Sequence, residues 1–134
     1  MVHWLRGLVL VGVMTLHPGV LRAEVAQPLG RLLFFSSPAC HYCGRFAKEI
    51  GQAYPQTDEG RLLPLVEVDS RDPPEEWKSI AASVTFTPTL VVLDNKNRER
   101  ARFRGYKGDQ FFWWELTNII EMLKKGGDET YQVQ

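Results

Sequence analysis

The sequence predicts a domain of the α/β class. Three observations carry this reading. Short β-branched or aromatic runs alternate with stretches of helical apolar spacing, the last two runs are separated only by a polar turn, and a Cys-x-x-Cys sits where the first run gives way to the first helix. With 134 residues and 15.3 kDa, the chain has the size of one small domain. Sixteen Lys and Arg balance 16 Asp and Glu. Neutralising phosphates needs a clustered basic surface that this balance does not supply, so no nucleic-acid partner is expected. Two cysteines cannot staple a scaffold, and a chain of this length can bury a core without staples.

The elements follow in order. Met1 to Arg6 carries one cation, Gly7 to Leu16 is largely apolar, and His17-Pro18-Gly19 breaks any helix. That is the order of a secretory signal, too short to span a bilayer. Residues 1–23 are therefore expected to be a cleaved leader and 24–134 the exported domain. Arg31 to Ser36 reads as a buried strand, and Ser37-Pro38-Ala39 turns out of it into the cysteines. Phe46, Ala47, Ile50 and Tyr54 then recur at helical spacing until Pro55. Leu62 to Val68 is the second strand. Asp72, Pro73 and Glu75 have the residue types of a helix start, so a short helix through Trp77 and Ile80 is expected.

Val84 to Thr87 leads to Pro88, Thr89 to Leu93 is a strongly β-branched strand, and Asp94 to Asn97 turns it into Arg98 to Arg104 as a hairpin. Arg98, Arg100, Arg102 and Arg104 alternate there, predicting a solvated, charged edge or a docking face for an acidic partner. Asp109 is placed to cap a final helix from Gln110 to Lys125, ended by Gly126-Gly127. Phe112, Leu116, Ile119 and Leu123 form its core stripe, with Phe111 or Trp114 outside it. The tail from Asp128 reads as loose. No heptads or duplicated pattern suggest a multimer, so a monomer is expected.

Cys40-His41-Tyr42-Cys43 carries the chemistry. In an exported chain this pair is a structural bridge, a redox centre or half of a metal site. A bridge over so short a loop would constrain little unfolded-state entropy. A zinc site lacks further ligands once His3 and His17 leave with the signal, so no metal is expected, although thiolates with His41 could hold a cuprous ion. Redox chemistry suits the context. At a helix N-terminus the unsatisfied N–H groups and the positive end of the dipole favour a thiolate, making Cys40 the nucleophile and Cys43, one turn further in, the resolving thiol. His41, when protonated, can stabilise the neighbouring thiolate, and Tyr42 supplies an apolar lid with a polar tip.

The order strand, helix, strand, helix, strand, strand, helix, with CxxC at the first helix start and Thr87-Pro88 before the hairpin, resembles the thioredoxin superfamily. The resemblance implies a thioredoxin fold, a central mixed sheet of about four strands flanked by helices. It also implies a cis Pro88 facing the cysteines, beside which the backbone pairs with substrate. Pro38 to Cys43, Tyr54 to Arg61, Arg71-Asp72-Pro73, Val84 to Thr89 and Gly105 to Trp113 are similar to the SoxS type of periplasmic thioredoxin, found with bacterial sulfur-oxidation systems. Membership would imply a periplasmic reductase, free of organic cofactor. It would keep the cysteine of the sulfur-carrier complex SoxYZ competent and draw electrons from a membrane thiol transporter.

The alternatives are a general periplasmic disulfide isomerase or oxidase and, as a binding protein, a copper chaperone. Isomerases usually add a dimerisation module or an inserted helical domain, for which residues 24–134 leave no room. Two departures from cytosolic thioredoxin stand out. Ala39 replaces the tryptophan before the first cysteine, and Phe34 occupies the place of the buried acid that assists proton transfer. Glu67 on the second strand is the candidate substitute.

Overall fold

Leu32 to Phe35 are apolar without a break, so the strand that holds them must be covered on both faces and belongs inside a sheet. In the computed structural model, which describes residues 26–133, that strand is β1 (Gly30–Ser36). The expected leader over 1–23 lies outside the described residues. β1 pairs parallel with β2 (Leu65–Asp69) and antiparallel with β3 (Thr89–Asp94), and β3 pairs antiparallel with β4 (Glu99–Arg104). The four-stranded sheet has the order β2-β1-β3-β4. Its mixed character follows from the connections: a tight turn forces β3 and β4 antiparallel, whereas the parallel β1–β2 pair needs a helical crossover.

Alternation of side chains across the sheet builds two cores. On one face Leu32, Phe34, Leu90, Val92 and Phe103 join Cys43, Phe46, Ile50 and Tyr54 from the first helical segment and Phe112, Leu116 and Ile119 from the last. On the other, Leu33, Phe35, Val68, Val91 and Leu93 close on Trp77.

Helix α1 (His41–Phe46) runs on into one π-helical turn, Ala47–Gly51. Phe46, Ile50 and Tyr54 are fully buried as expected, but Ala47 is exposed, because the stripe uses only every fourth residue here. The second strand begins at Leu65, not Leu62. Before it lies helix α2 (Asp58–Leu62), which the sequence reading did not anticipate. Thr57 starts it, accepting from the Gly60 N–H at 3.0 Å and donating to the Tyr54 carbonyl at 2.8 Å. Gly60 is required there: a Cβ would sit 1.9 Å from the Tyr54 carbonyl oxygen.

Asp72 does not cap a helix. A 3-10 turn over Glu75–Trp77 with Pro74 at its start leads into α3 (Lys78–Ala81), so proline geometry supplies the entry in place of a carboxylate cap. Helix α4 (Asp109–Lys124) follows Gly108 and ends before Gly126, whose φ of 69° is left-handed.

The arginine strand differs most from expectation. A bulge between Val92 and Leu93 takes Arg100 out of register, and the residue is only 5% exposed. It pairs with Asp94 at 3.2 Å and donates to the Glu129 carbonyl at 2.7 Å and to the Gly127 carbonyl. Arg102 is held by Glu99 at 2.7 Å and by Ser83. The tail from Asp128 is likewise not loose. The Tyr131 N–H donates to the Arg100 carbonyl at 2.6 Å, and Tyr131 makes a parallel bridge with Ala101, covering the outer edge of β4.

Candidate active site

Strand β1 delivers the chain to the site, and the turn over Pro38-Ala39, with Ala39 at φ 61°, swings it into α1. Cys40 occupies the N-cap position in extended conformation. It is joined to Cys43 by a disulfide of 2.06 Å, and the Cys43 N–H donates to the Cys40 Sγ at 3.2 Å. The two sulfurs differ in access. Cys43 is 6% exposed and packs in the core with Phe34 and Phe46, whereas Cys40 is only partly covered. An incoming sulfur therefore meets Cys40 first, at the end of a helix where N–H groups favour negative charge.

A cleft of about 1000 Å³ opens over the pair. Cys40, His41 and Cys43 line it together with Arg45, Lys48 and Glu67. Tyr42 is not among its lining residues. It stands 53% exposed on the flank, edge-on to His41 with ring centroids 5.5 Å apart. Thr87 and Pro88 do not line the cleft either, yet they are tied to its rim by a 2.8 Å hydrogen bond between the Ser37 and Thr87 hydroxyls. The Thr87–Pro88 peptide bond is cis. Pro88 is buried and its carbonyl accepts from the Gly105 N–H at 2.9 Å, while no backbone partner among the described residues engages the Thr87 N–H or C=O.

Phe34 is buried in the same core cluster as Cys43, and Glu67 lies beside it in register on the neighbouring strand. Glu67 is exposed in the cleft and accepts from the Ser36 hydroxyl at 2.8 Å. Asp69, further along β2, is pinned by Arg71, whose guanidinium donates at 2.7 Å and holds the carboxyl down at about 2.

Three residues at the site escaped the sequence reading. Arg45 donates to Glu49 at 3.1 and 3.3 Å, and Glu49 accepts from the Tyr106 hydroxyl at 2.7 Å. That hydroxyl is the main cause holding the Glu49 carboxyl below its ordinary range, and burial is the main cause pushing the Tyr106 phenol up. The i,i+4 spacing of Arg45 and Glu49 was a visible signal for a helical ion pair; Tyr106, 57 positions further on, carried none.

Fold and site together define a thiol-disulfide oxidoreductase. The thioredoxin-like domain family matches residues 23–120, and the chain belongs to that family. Among solved structures it is similar to the periplasmic thioredoxin SoxS from Paracoccus pantotrophus in its reduced form, at 42% identity over 68% of this chain and 95% of that one, with a TM-score of 0.59. It also resembles a thioredoxin-fold protein from Helicobacter pylori at 20% identity, over 75% of this chain and 84% of that one, with a TM-score of 0.48. No curated protein matches the sequence.

Proposed function

We propose that this protein is a periplasmic disulfide reductase of the SoxS type, acting on the cysteine of a sulfur-carrier complex such as SoxYZ. The observation that carries the chemistry is the asymmetry of the pair: an accessible sulfur at the helix cap and a shielded one a turn below. The 42% identity to the Paracoccus periplasmic thioredoxin SoxS supports the compartment and the sulfur-oxidation setting, and the leader-like residues 1–23 agree with export.

In the reduced enzyme, the Cys40 thiolate attacks a sulfur of the substrate disulfide. The substrate S–S bond breaks, one substrate thiolate leaves and takes a proton, and a mixed disulfide remains. Cys43 then loses its proton and attacks the Cys40 sulfur, expelling the second substrate thiolate and closing the Cys40–Cys43 bond. Two electrons pass to the substrate, and a membrane thiol transporter supplies the two that reduce the Cys40–Cys43 disulfide again. The unengaged Thr87 backbone beside the cis bond offers an extended substrate segment a place to pair. Thr87 and Pro88 are thus the substrate-binding edge, and His41 and Tyr42 the residues that tune and shield the pair. No organic cofactor or metal enters these steps.

A Cys43→Ser variant tests this directly. Expressed in a sulfur-oxidising host, it should accumulate a covalent adduct through Cys40, with the sulfur carrier as the dominant partner by mass spectrometry. A broad spread of exported cysteine proteins would instead make the enzyme a general thiol-disulfide exchanger.

A further inference from the structure

Tyr106, Glu49 and Arg45 form a chain of contacts that ends on the exposed ring of Tyr42, and the two-step exchange uses none of the three. The ring of Tyr106 is 6% exposed and packs edge-on against Phe46 with centroids 5.5 Å apart, so the core fixes its hydroxyl. That hydroxyl holds Glu49 at 2.7 Å. Glu49 in turn takes both the Nε and Nη2 donors of Arg45, whose guanidinium lies 5.6 Å from the Tyr106 centroid and 5.9 Å from that of Tyr42.

The same loop serves the other edge of the site. Gly105, next to Tyr106, donates its N–H to the Pro88 carbonyl, and a Cβ placed on Gly105 would lie 3.9 Å from the ring of Phe86. Tyr42 at 53% and Phe86 at 49% are thus half-exposed rings, the first tied to Tyr106 through Arg45 and the second next to Gly105. Two of the five guanidinium N–H donors, on Nε and Nη2, go to Glu49, so the charge of Arg45 is compensated locally.

We propose that Arg45, held by Glu49 and Tyr106, is a positioning residue that sets Tyr42 as a platform for an apolar side chain next to the substrate cysteine. The role rests on the reductase reading and gives it selectivity among protein disulfides. An aromatic platform fixed in advance binds without spending rotamer entropy, so the gain appears in substrate binding and not in the chemical steps.

The test compares the full protein with its Arg45→Gln variant, both recycled by dithiothreitol. The substrates are two disulfide-linked peptides that differ only in having Phe or Gly beside the cysteine. The unaltered enzyme should prefer the Phe peptide through KM. Arg45→Gln should reduce that preference about three- to fivefold, the size of one exposed cation–π contact, with the change in KM and the Cys40–Cys43 reduction potential unmoved. Tyr106→Phe keeps the buried ring and removes only the hydroxyl, and it should reproduce part of the effect. In a Tyr42→Ala background the Arg45 substitution should be silent.

An unchanged preference in Arg45→Gln, or a fall in kcat on both peptides with a shifted potential, would overturn the positioning role. The second of these results would make Arg45 an electrostatic partner of the thiolate. An enzyme that prefers neither peptide would also overturn it. One that reduces neither would overturn the reductase reading itself, and the platform with it.

Discussion

Between Cys40 and Cys43 the division of labour is set by one N–H and one wall of aromatic carbon. The Cys43 amide already points at the outer sulfur, so charge forming on Cys40 meets a donor in place, whereas Cys43 is buried in the core cluster that includes Phe34 and Phe46 and must lose its proton in a largely apolar setting. Glu67 and Asp69 both line the cleft with Cys43, and Asp69 is already held by Arg71, which leaves Glu67 as the candidate. If it takes that proton through water, Glu67→Gln should slow resolution of the mixed disulfide by about tenfold, less than the ~100-fold typical of a directly placed general base. The initial attack by Cys40 should keep its rate. Stopped-flow resolution rates measured across pH check this, and an unchanged pH profile would assign the proton to solvent.

At this scale the sequence was informative wherever function is written in a short string. The cysteine pair and the turn before it are local patterns with local physical causes, whereas the cis Thr87–Pro88 bond was expected only through the family resemblance. The clamp on Tyr42 is not local, because the contact between Glu49 and Tyr106 is created only when the π-helical turn after α1 and the β4–α4 loop meet.

Among the elements, β4 carries the largest difference from expectation. Strict alternation predicted four arginines on one solvated face, but alternation presumes regular pairing, and the bulge breaks it at Arg100. The buried guanidinium then needs partners, and Asp94 with the carbonyls of Gly127 and Glu129 supplies them. Burial pushes the Asp94 carboxyl up, but the N–H groups of Arg98 and Lys96 and the two guanidinium groups outweigh it and hold it at about 2.

A carboxyl depressed on folding stabilises the native state above its ordinary value and loses that contribution as pH falls through the folded one. Asp94→Asn should therefore cost about 3 kcal/mol at neutral pH, as expected for an uncompensated buried cation. The gap to the unaltered protein should hold from pH 7 to about 4 and shrink toward pH 2. Urea titrations at a series of pH values measure it, and a gap independent of pH would remove Asp94 from the clasp. The same tail tightens from the other side: burial, and then the hydrogen bond to Glu115, push the Tyr131 phenol above its ordinary range. Helix α2 was missed for a related reason. Leu62 and Leu63 read as the start of an apolar strand, and only the Thr57 cap reveals that Leu62 still belongs to a helix.

For the whole molecule, the class, the number of strands and the order of the main elements were legible, because period-2 and helical apolar patterns are direct records of which faces are buried. The order of strands in the sheet was not legible in the sequence, since pairing between distant segments leaves no local trace. That order places β1 between β2 and β3, with one buried layer above it and another below.

The redox turn hangs from the end of this strand, which has a protein neighbour on every side, while the helix cap it leads into faces water. Amide hydrogen exchange should show the contrast as a steep gradient along a few residues. The N–H groups of Leu33 to Phe35 should exchange only when the entire molecule opens, and those of His41 and Tyr42 within local fluctuations. The catalytic turn would then be free to yield to a partner without loosening the strand that presents it.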